Sequence, residues 1–299
     1  MVLDDLSRGF ADAVGGVPLY RGSTGDPDVL DRIFREHDID AVLHFAAFSE
    51  IGESFRDPSG YYRNNVGNTV VLLDAMVRHG IRRLVFSSTA AIFGSPEYTP
   101  IDEEHPKAPI NPYGRSKWLV EQALADYSRI HALHSVCLRY FNAAGADPEG
   151  ELGERHEPET HLIPLVLQAA SGRREAIQIF GEDYPTGDGT CVRDYIHVQD
   201  LAQAHWLALR YLREEGPSAA FNLGNGSGHS IREVIDAARH VSGRDFPVER
   251  GSRRAGDPAV LVADSEQARE VLGWKPAYAD LERIVADAWA WEQQKGERW

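Results

Sequence analysis

Short apolar runs separated by amphipathic segments of helical length restrict this chain more tightly than any other feature. The runs from Asp40 to Ala47, Arg83 to Ser88 and His134 to Tyr140 have the length and apolar content of strands buried on both faces. Helical spacing fills the gaps between them. Asp26 supplies an N-cap acid and Pro27 the first helical position; Val29, Leu30, Ile33 and Phe34 then form one apolar stripe ending near His37. A second helix is expected from about Asn65 to His79, with Val66, Val70, Leu73 and Val77 inward and Gly80 at its C-terminal cap. Asn111 and Pro112 open a third, which runs to about His131. Strands joined by helices of this length need crossover connections, and crossovers give a parallel sheet with helices on both faces. The expected fold class is α/β, a doubly wound parallel sheet.

Beyond Asn142 the texture changes. Residues 143–160, rich in Gly, Pro and Glu, read as loop, and 162–170 as a short helix. Ser230 and Glu233 form a capping-box pattern ahead of Val234, Ile235 and Ala238, so another helix starts there. These later segments are expected to build a smaller C-terminal lobe at the carboxyl ends of the strands, where open α/β sheets bind ligands. The implied division is 1–145 with 190–225 for a Rossmann-like domain, and 146–189 with 226–299 for the lobe. Such a domain begins with a strand, a glycine-rich turn and a helix, then a second strand ending in an acid. Val2-Leu3-Asp4 reads as the end of that second strand. The fold is therefore read as N-terminally truncated, with Met1 a misassigned start.

Composition excludes several classes. No run of about 18 uncharged apolar residues suggests a membrane span, and the acidic first residues are unlike a secretory signal. A net charge of −15 argues against nucleic acid as a partner. The two cysteines, Cys137 and Cys191, sit in apolar surroundings, which suits a reducing, cytoplasmic setting and no disulfide framework. No metal site is expected.

The sharpest chemical signal is Tyr113 with Lys117 on the helix opened by Pro112. Spacing i, i+4 stacks both side chains on one helix face. A tyrosine with a pKa of about 10 is a poor base at neutral pH, and a neighbouring ammonium stabilises its phenolate. Alone, the pair is a common surface arrangement. The hydroxyls of Ser87, Ser88 and Thr89 at the end of the preceding strand raise its weight, because strand ends face the ligand crevice. Arg193 and Arg254 present forked donors that suit a diphosphate, with pairing to Asp194 or Asp257 as the plain alternative. Phe180 suits stacking on a base, or is simply core. Asp4 stands where an acid accepts adenosine-ribose hydroxyls, or caps its turn. His44 and His197, in apolar strands, read as satisfied core histidines.

These motifs, in this order, resemble the UDP-glucose 4-epimerase family of extended short-chain dehydrogenases/reductases over nearly the whole chain. The run from Asp183 to Val198 is the most specific part of the likeness. The resemblance implies reversible, NAD-dependent C4 epimerisation of a UDP-sugar, with Tyr113, Lys117 and Thr89 catalytic. It implies NAD contacts from Asp4, Phe45, Ala46, Asn64, Ser87 and Tyr140, besides Tyr113 and Lys117, with Asn64 rather than Asn65 as the ligand. It implies substrate contacts from Asn142, His161, Leu162, Gln178, Phe180, Arg193, Arg254, Asp257 and Leu261, besides Thr89. A homodimer is usual for the family.

The chain departs from the pattern at several positions. Thr89 replaces a serine, Ser49 a cofactor-contacting lysine, Ser23 an adenine-contacting aspartate and His161 a substrate-contacting asparagine. Leu261 falls where side-chain bulk sets tolerance for N-acetylated sugars. A related 4,6-dehydratase would carry an Asp-Glu pair after Thr89, where Ala90 and Ala91 stand. Another nucleotide-sugar epimerase and a non-catalytic truncated fragment are the remaining alternatives.

Overall fold

The computed structural model describes residues 1–254 and 257–298; Ala255 and Gly256, inside the run from Arg253 to Asp257, lie outside it. The chain divides into two units. The first comprises Met1–Gly94, Lys107–Arg139 and His205–Phe221, and the second Ser95–Pro106, Tyr140–Ala204 and Asn222–Trp299.

In the first unit, Val2–Asp4 pairs in parallel with Leu19–Arg21, Val2 opposite Leu19. A separate four-stranded sheet runs in the order Ala219–Leu223, His134–Tyr140, Arg83–Thr89, Val42–His44. The two central strands are buried almost throughout, as their apolar runs demand. Val42–His44 differs. It is shorter than the expected 40–47 and pairs in parallel with Arg83–Thr89, His44 opposite Phe86. It ends the sheet, and only part of it is covered: Leu43 is 40% exposed and Phe45, just beyond the strand, 54%.

Helices Pro27–Glu36, Asn68–Arg78 and Pro112–His131 supply the covering layers. Asp26 caps the first by accepting from the N–H groups of Asp28 and Val29, a contact worth about 1 kcal/mol. The helix expected from Asn65 begins earlier: Asp57 caps a turn at Pro58–Tyr61, and a wider π-helical turn spans Tyr62–Gly67. It ends as expected, with Gly80 at φ +74°. Leu30, Leu72, Leu73, Met76, Leu84, Phe86, Val120 and Leu124 form the core beneath these helices. Each fully buried side chain of this size stabilises by about 1.5–3 kcal/mol.

In the second unit, Asn142–Ala144 pairs in parallel with Tyr195–His197. Val192–Arg193 lies between His229–Ser230 and Val260–Leu261, and Val248–Gly251 runs parallel to Ile177–Phe180. Residues 140–145, 190–204 and 222–225, together with 95–106, fall in this unit, where the sequence pattern points to the Rossmann-like domain; the pairings above account for 142–144 and 192–197. The expected loop from 143 also gives two residues to a strand, and Ala146 bridges Gly153. The capping box is present in full: Glu233 N–H donates to the Ser230 hydroxyl, and Ser230 N–H to the Glu233 carboxylate. The core joins Ile163, Val166, Leu167, Ile177, Ile179, Val234, Ile235, Phe246, Ile284 and Trp289.

Candidate active site

The helix Pro112–His131 is fixed at its start by two local devices. Asn111 accepts the Gly114 N–H at 2.7 Å, and Pro112 occupies the first position, where a missing N–H costs nothing. Gly114 then lets the first turn lie against the chain that leaves Arg83–Thr89. A Cβ there would stand 2.4 Å from the carbonyl oxygen of Ala91. This close approach sets where Tyr113 and Lys117 begin.

Lys117 is 3% exposed. Its ammonium donates to the carbonyl of Ser87 at 2.8 Å and stands 4.8 Å from the Phe86 ring centroid. Burial pushes the ammonium down to about 7, partly opposed by Glu121. Glu121 lies one further turn along the same face. It accepts from the Ser88 hydroxyl and from a two-nitrogen fork of Arg139, with both members of this pair buried. Thr89 ends the strand and accepts the Ala91 N–H at 3.2 Å, which leaves its hydroxyl hydrogen to be donated. Tyr113 is half-buried, and its ring meets the edge of Tyr61 at 6.5 Å and 82°. The Tyr61 hydroxyl donates to the Glu50 carbonyl; burial raises its pKa, with Glu53 adding to the shift, so this phenol stays protonated.

Other expected cofactor residues of this unit are distributed around that helix. Asn65, buried, bonds the backbone of Phe48 in both directions and donates to Ser116 on the helix. Asn64 is half-buried and bonds Asn65 and Asn68, so the neighbour, not Asn64, holds the architecture. Phe45 and Ala46 are exposed, and Phe45 packs on His205 at 4.6 Å. Asp4 ends its strand and accepts the Leu6 N–H at 2.7 Å. A side chain at Gly9 would stand 3.2 Å from that carboxylate, so glycine keeps the ground beside it open. His44 is a core histidine as expected: it bonds Thr69 at 2.8 Å, and burial pushes it down to about 3.

In the second unit, the expected substrate residues fall into three groups. Around Val192–Arg193, Asn142 donates to the Asp194 carbonyl, Leu261 pairs with Arg193, and Arg193 donates to Asp257 at 3.0 Å. The carboxylate pairing raised as an alternative for Arg193 is thus present, with Asp257. Asp194 instead takes the N–H groups of Asn225, Gly226 and Ala263. Around Ile177–Phe180, the Arg254 guanidinium lies 3.9 Å over the Phe180 ring. Arg254 is exposed, whereas Arg193 is half-buried. Gln178 is half-buried in the same strand and meets Gly251. The third group, His161 and Leu162, opens the helix Leu162–Ser171; Glu154 and Glu159 push His161 up to about 10. His161 is therefore an imidazolium and not a neutral stand-in for asparagine. Tyr140, half-buried, closes the strand His134–Tyr140. His197 is fully buried and stacks on Tyr278 at 4.6 Å.

Sequence reasoning singled out neither Gly114, Asn65, Glu121 nor Arg139 for these positions. The available signals were the i+4 step from Lys117 to Glu121 and an arginine inside an apolar strand, which demands a buried carboxylate.

A sequence profile of the NAD dependent epimerase/dehydratase family matches residues 1–224. The chain belongs to this family. It is 52% identical over 294 residues to the UDP-glucose 4-epimerase of Halalkalibacterium halodurans, covering 98% of this chain and 88% of that protein. The fold agrees with that of UDP-glucose 4-epimerase from Brucella ovis in complex with NAD: TM-score 0.94, 47% identity, 96% of this chain and 90% of that one. It agrees equally with the Stenotrophomonas maltophila enzyme with bound NAD and formylated UDP-arabinopyranose: TM-score 0.95, 40% identity, 99% and 90% coverage. The expected α/β class and family assignment are borne out. Among the described residues no helix is long and apolar enough to cross a membrane.

Proposed function

We infer that this epimerase-family member inverts C4 of a UDP-sugar reversibly, through a 4-keto intermediate and with NAD as cofactor. The observation that carries this reading is the buried Lys117 ammonium beside the hydroxyl-rich end of Arg83–Thr89, one turn from Tyr113. The donor set fits NAD: a strand-end carboxylate at Asp4 with open ground beside it, and a buried ammonium for the nicotinamide ribose. Phe45, Ala46, Asn64, Ser87 and Tyr140 would complete its contacts. Bound NAD supplies the hydride acceptor and donor.

The chain's own groups manage protons and position. Lys117 stabilises the Tyr113 phenolate, which takes the proton of the C4 hydroxyl and later returns it to the opposite epimer. Thr89 donates its hydroxyl hydrogen to the C4 oxygen and steadies it. Arg193 and Arg254 answer the diphosphate charge, with Asn142, Phe180 and Asp257 taking phosphate, base and ribose. His161, Leu162, Gln178 and Leu261 line the remaining substrate contacts. The relatives named UDP-glucose 4-epimerase favour UDP-galactose and UDP-glucose as the pair. We also read the protein as a cytoplasmic homodimer, on the family resemblance and on two buried, unpaired thiols at Cys137 and Cys191; sedimentation tests the pairing.

The deciding experiment is Tyr113→Phe, assayed for UDP-galactose to UDP-glucose conversion. The turnover number should fall at least about 100-fold, with UDP affinity unchanged. Near-normal turnover overturns the mechanism.

A further inference from the structure

Glu154, His156, Glu159 and His161 come from one short stretch leading into the helix Leu162–Ser171. Each offers a ligand atom within 4.8 Å of those of the other three. The His161 Nδ1 stands 2.5 Å from Glu154 Oε1 and 3.2 Å from Glu159 Oε1, and His156 Nδ1 is 3.9 Å from that same oxygen. The cluster is half-sunk: the side chain of Glu159 is 4% exposed and that of His156 17%, while Glu154 is 26% and His161 54% exposed at its open side.

A second observation points to a ligand. Glu159 Oε1 accepts the N–H groups of Thr160 and His161, at 2.7 and 2.9 Å, besides facing the His161 ring. Its other oxygen, Oε2, is buried and has no hydrogen-bond partner among the described residues. A buried carboxylate oxygen without a donor is costly, and a cation held through Oε2 removes that cost while Oε1 keeps its two N–H groups.

We propose that Glu154, His156, Glu159 and His161 bind one divalent transition-metal ion of the zinc class. Two imidazoles and two carboxylates make a four-donor set of the kind zinc takes tetrahedrally. Zinc–ligand distances of about 2.0–2.2 Å put tetrahedral donors about 3.3–3.6 Å apart; the separations above lie on either side of that range, so the His161 and Glu154 side chains would move apart by up to about 1 Å to admit the ion. Two imidazoles disfavour calcium and magnesium, which take oxygen. The ion would sit at a helix N-terminus, where a cation alone is disfavoured, and the two carboxylates neutralise it there. It would displace the proton that His161 holds between them. The Trp291 indole already donates to the Glu154 carbonyl at 3.1 Å, so the ion would fasten this loop to two helices of the second unit. His161 thereby gains a structural role besides the substrate contact implied by resemblance.

The test uses the full chain, stripped with EDTA and titrated with Zn²⁺ and Co²⁺. One equivalent of Zn²⁺ per chain is expected by atomic emission, with the intense visible absorption of four-coordinate Co²⁺ on substitution. His156→Ala should weaken Zn²⁺ binding at least about 10-fold and abolish the rise in thermal midpoint that Zn²⁺ gives the parent chain. Glu159→Gln, which keeps the side-chain shape, should do the same, and serves if His156→Ala fails to fold. Uptake below one equivalent, or equal affinity in the parent chain and the folded variants, overturns the proposal.

Discussion

The ammonium of Lys117 reaches past the helix that carries it and donates to the carbonyl of Ser87 at 2.8 Å. That bond places a charge inside the protein, and burial answers by pushing the group down to about 7 from 10.5. Between those values the unfolded chain binds a proton that the folded chain does not. The resulting penalty is complete below about pH 7, shrinks as pH rises through the window, and is gone above about 10.5. Lys117→Met removes it. The variant's advantage in thermal midpoint over the parent should therefore be largest near pH 7 and smallest near pH 10, while turnover falls at least about 100-fold. A difference in midpoint that stays constant across that range would contradict the buried-ammonium account.

Gly114 is the second determinant of the same geometry. The neighbour of its missing Cβ is a backbone carbonyl, at 2.4 Å, and not the end of a flexible side chain. Gly114→Ala must therefore move the helix start. A loss of about 1–3 kcal/mol in urea unfolding is expected. Turnover should drop by roughly 100-fold as Tyr113 shifts. Unchanged kinetics would show that the first turn is not held where the chemistry needs it.

What could be read in the sequence follows the range of the forces involved. The helix Pro112–His131 and the strands Arg83–Thr89 and His134–Tyr140 announce themselves through local signals, an Asn-Pro start and unbroken apolar runs. Val192–Arg193 and Val260–Leu261 are two residues each and exist only because distant backbone pairs with them, so no local pattern marks them. Val42–His44 was legible as a strand, but its place at the end of the sheet was not, and that place decides the exposure of Leu43. The Tyr113 and Lys117 pair was visible from spacing. The turn Tyr62–Gly67 was not, since its wider winding leaves the apolar period almost intact.

Asn64 and Asn65 are adjacent and should behave differently. Asn65→Ala leaves the Phe48 N–H and carbonyl without their partner and severs the link to Ser116. About 2–4 kcal/mol of stability should be lost, since each buried group left unsatisfied costs about 1–3 kcal/mol. Asn64→Ala should change the unfolding midpoint little and weaken NAD binding instead. Reversed effects, by chemical denaturation and by fluorescence titration with NADH, would exchange the two assignments.

Glu121 and Arg139 form a buried, two-nitrogen ion pair that also receives the Ser88 hydroxyl. Removing one charge strands the other, so Glu121→Gln or Arg139→Met alone should cost about 3–5 kcal/mol. The double variant should recover much of the loss, because neither member of the pair is then left without the other; what remains is the support Glu121 gave the Lys117 ammonium. Denaturation of all four proteins in a double-mutant cycle measures the coupling. Additive losses would mean the pair is solvated.

Arg254 and Phe180 are joined by a stacking contact of 3.9 Å that the sequence did not suggest. The ring expected to meet a base is already covered on one face by the guanidinium expected to meet a diphosphate. The two groups should therefore act on UDP as a coupled pair. Arg254→Met removes a forked, charged donor and should weaken UDP binding about 10- to 100-fold. Phe180→Ala removes both a stacking surface and the platform that orients Arg254, so combining the changes should lose less than the sum of the two. Arg193→Met, on the strand Val192–Arg193 and paired with Asp257 at 3.0 Å, should couple only weakly to Arg254→Met, the link being the Asp257 N–H that donates to the Arg254 carbonyl. Isothermal titration with UDP on the single and double variants distinguishes these cases. Independent effects of Phe180 and Arg254 would separate base from diphosphate recognition and leave the stacking contact without a part in binding.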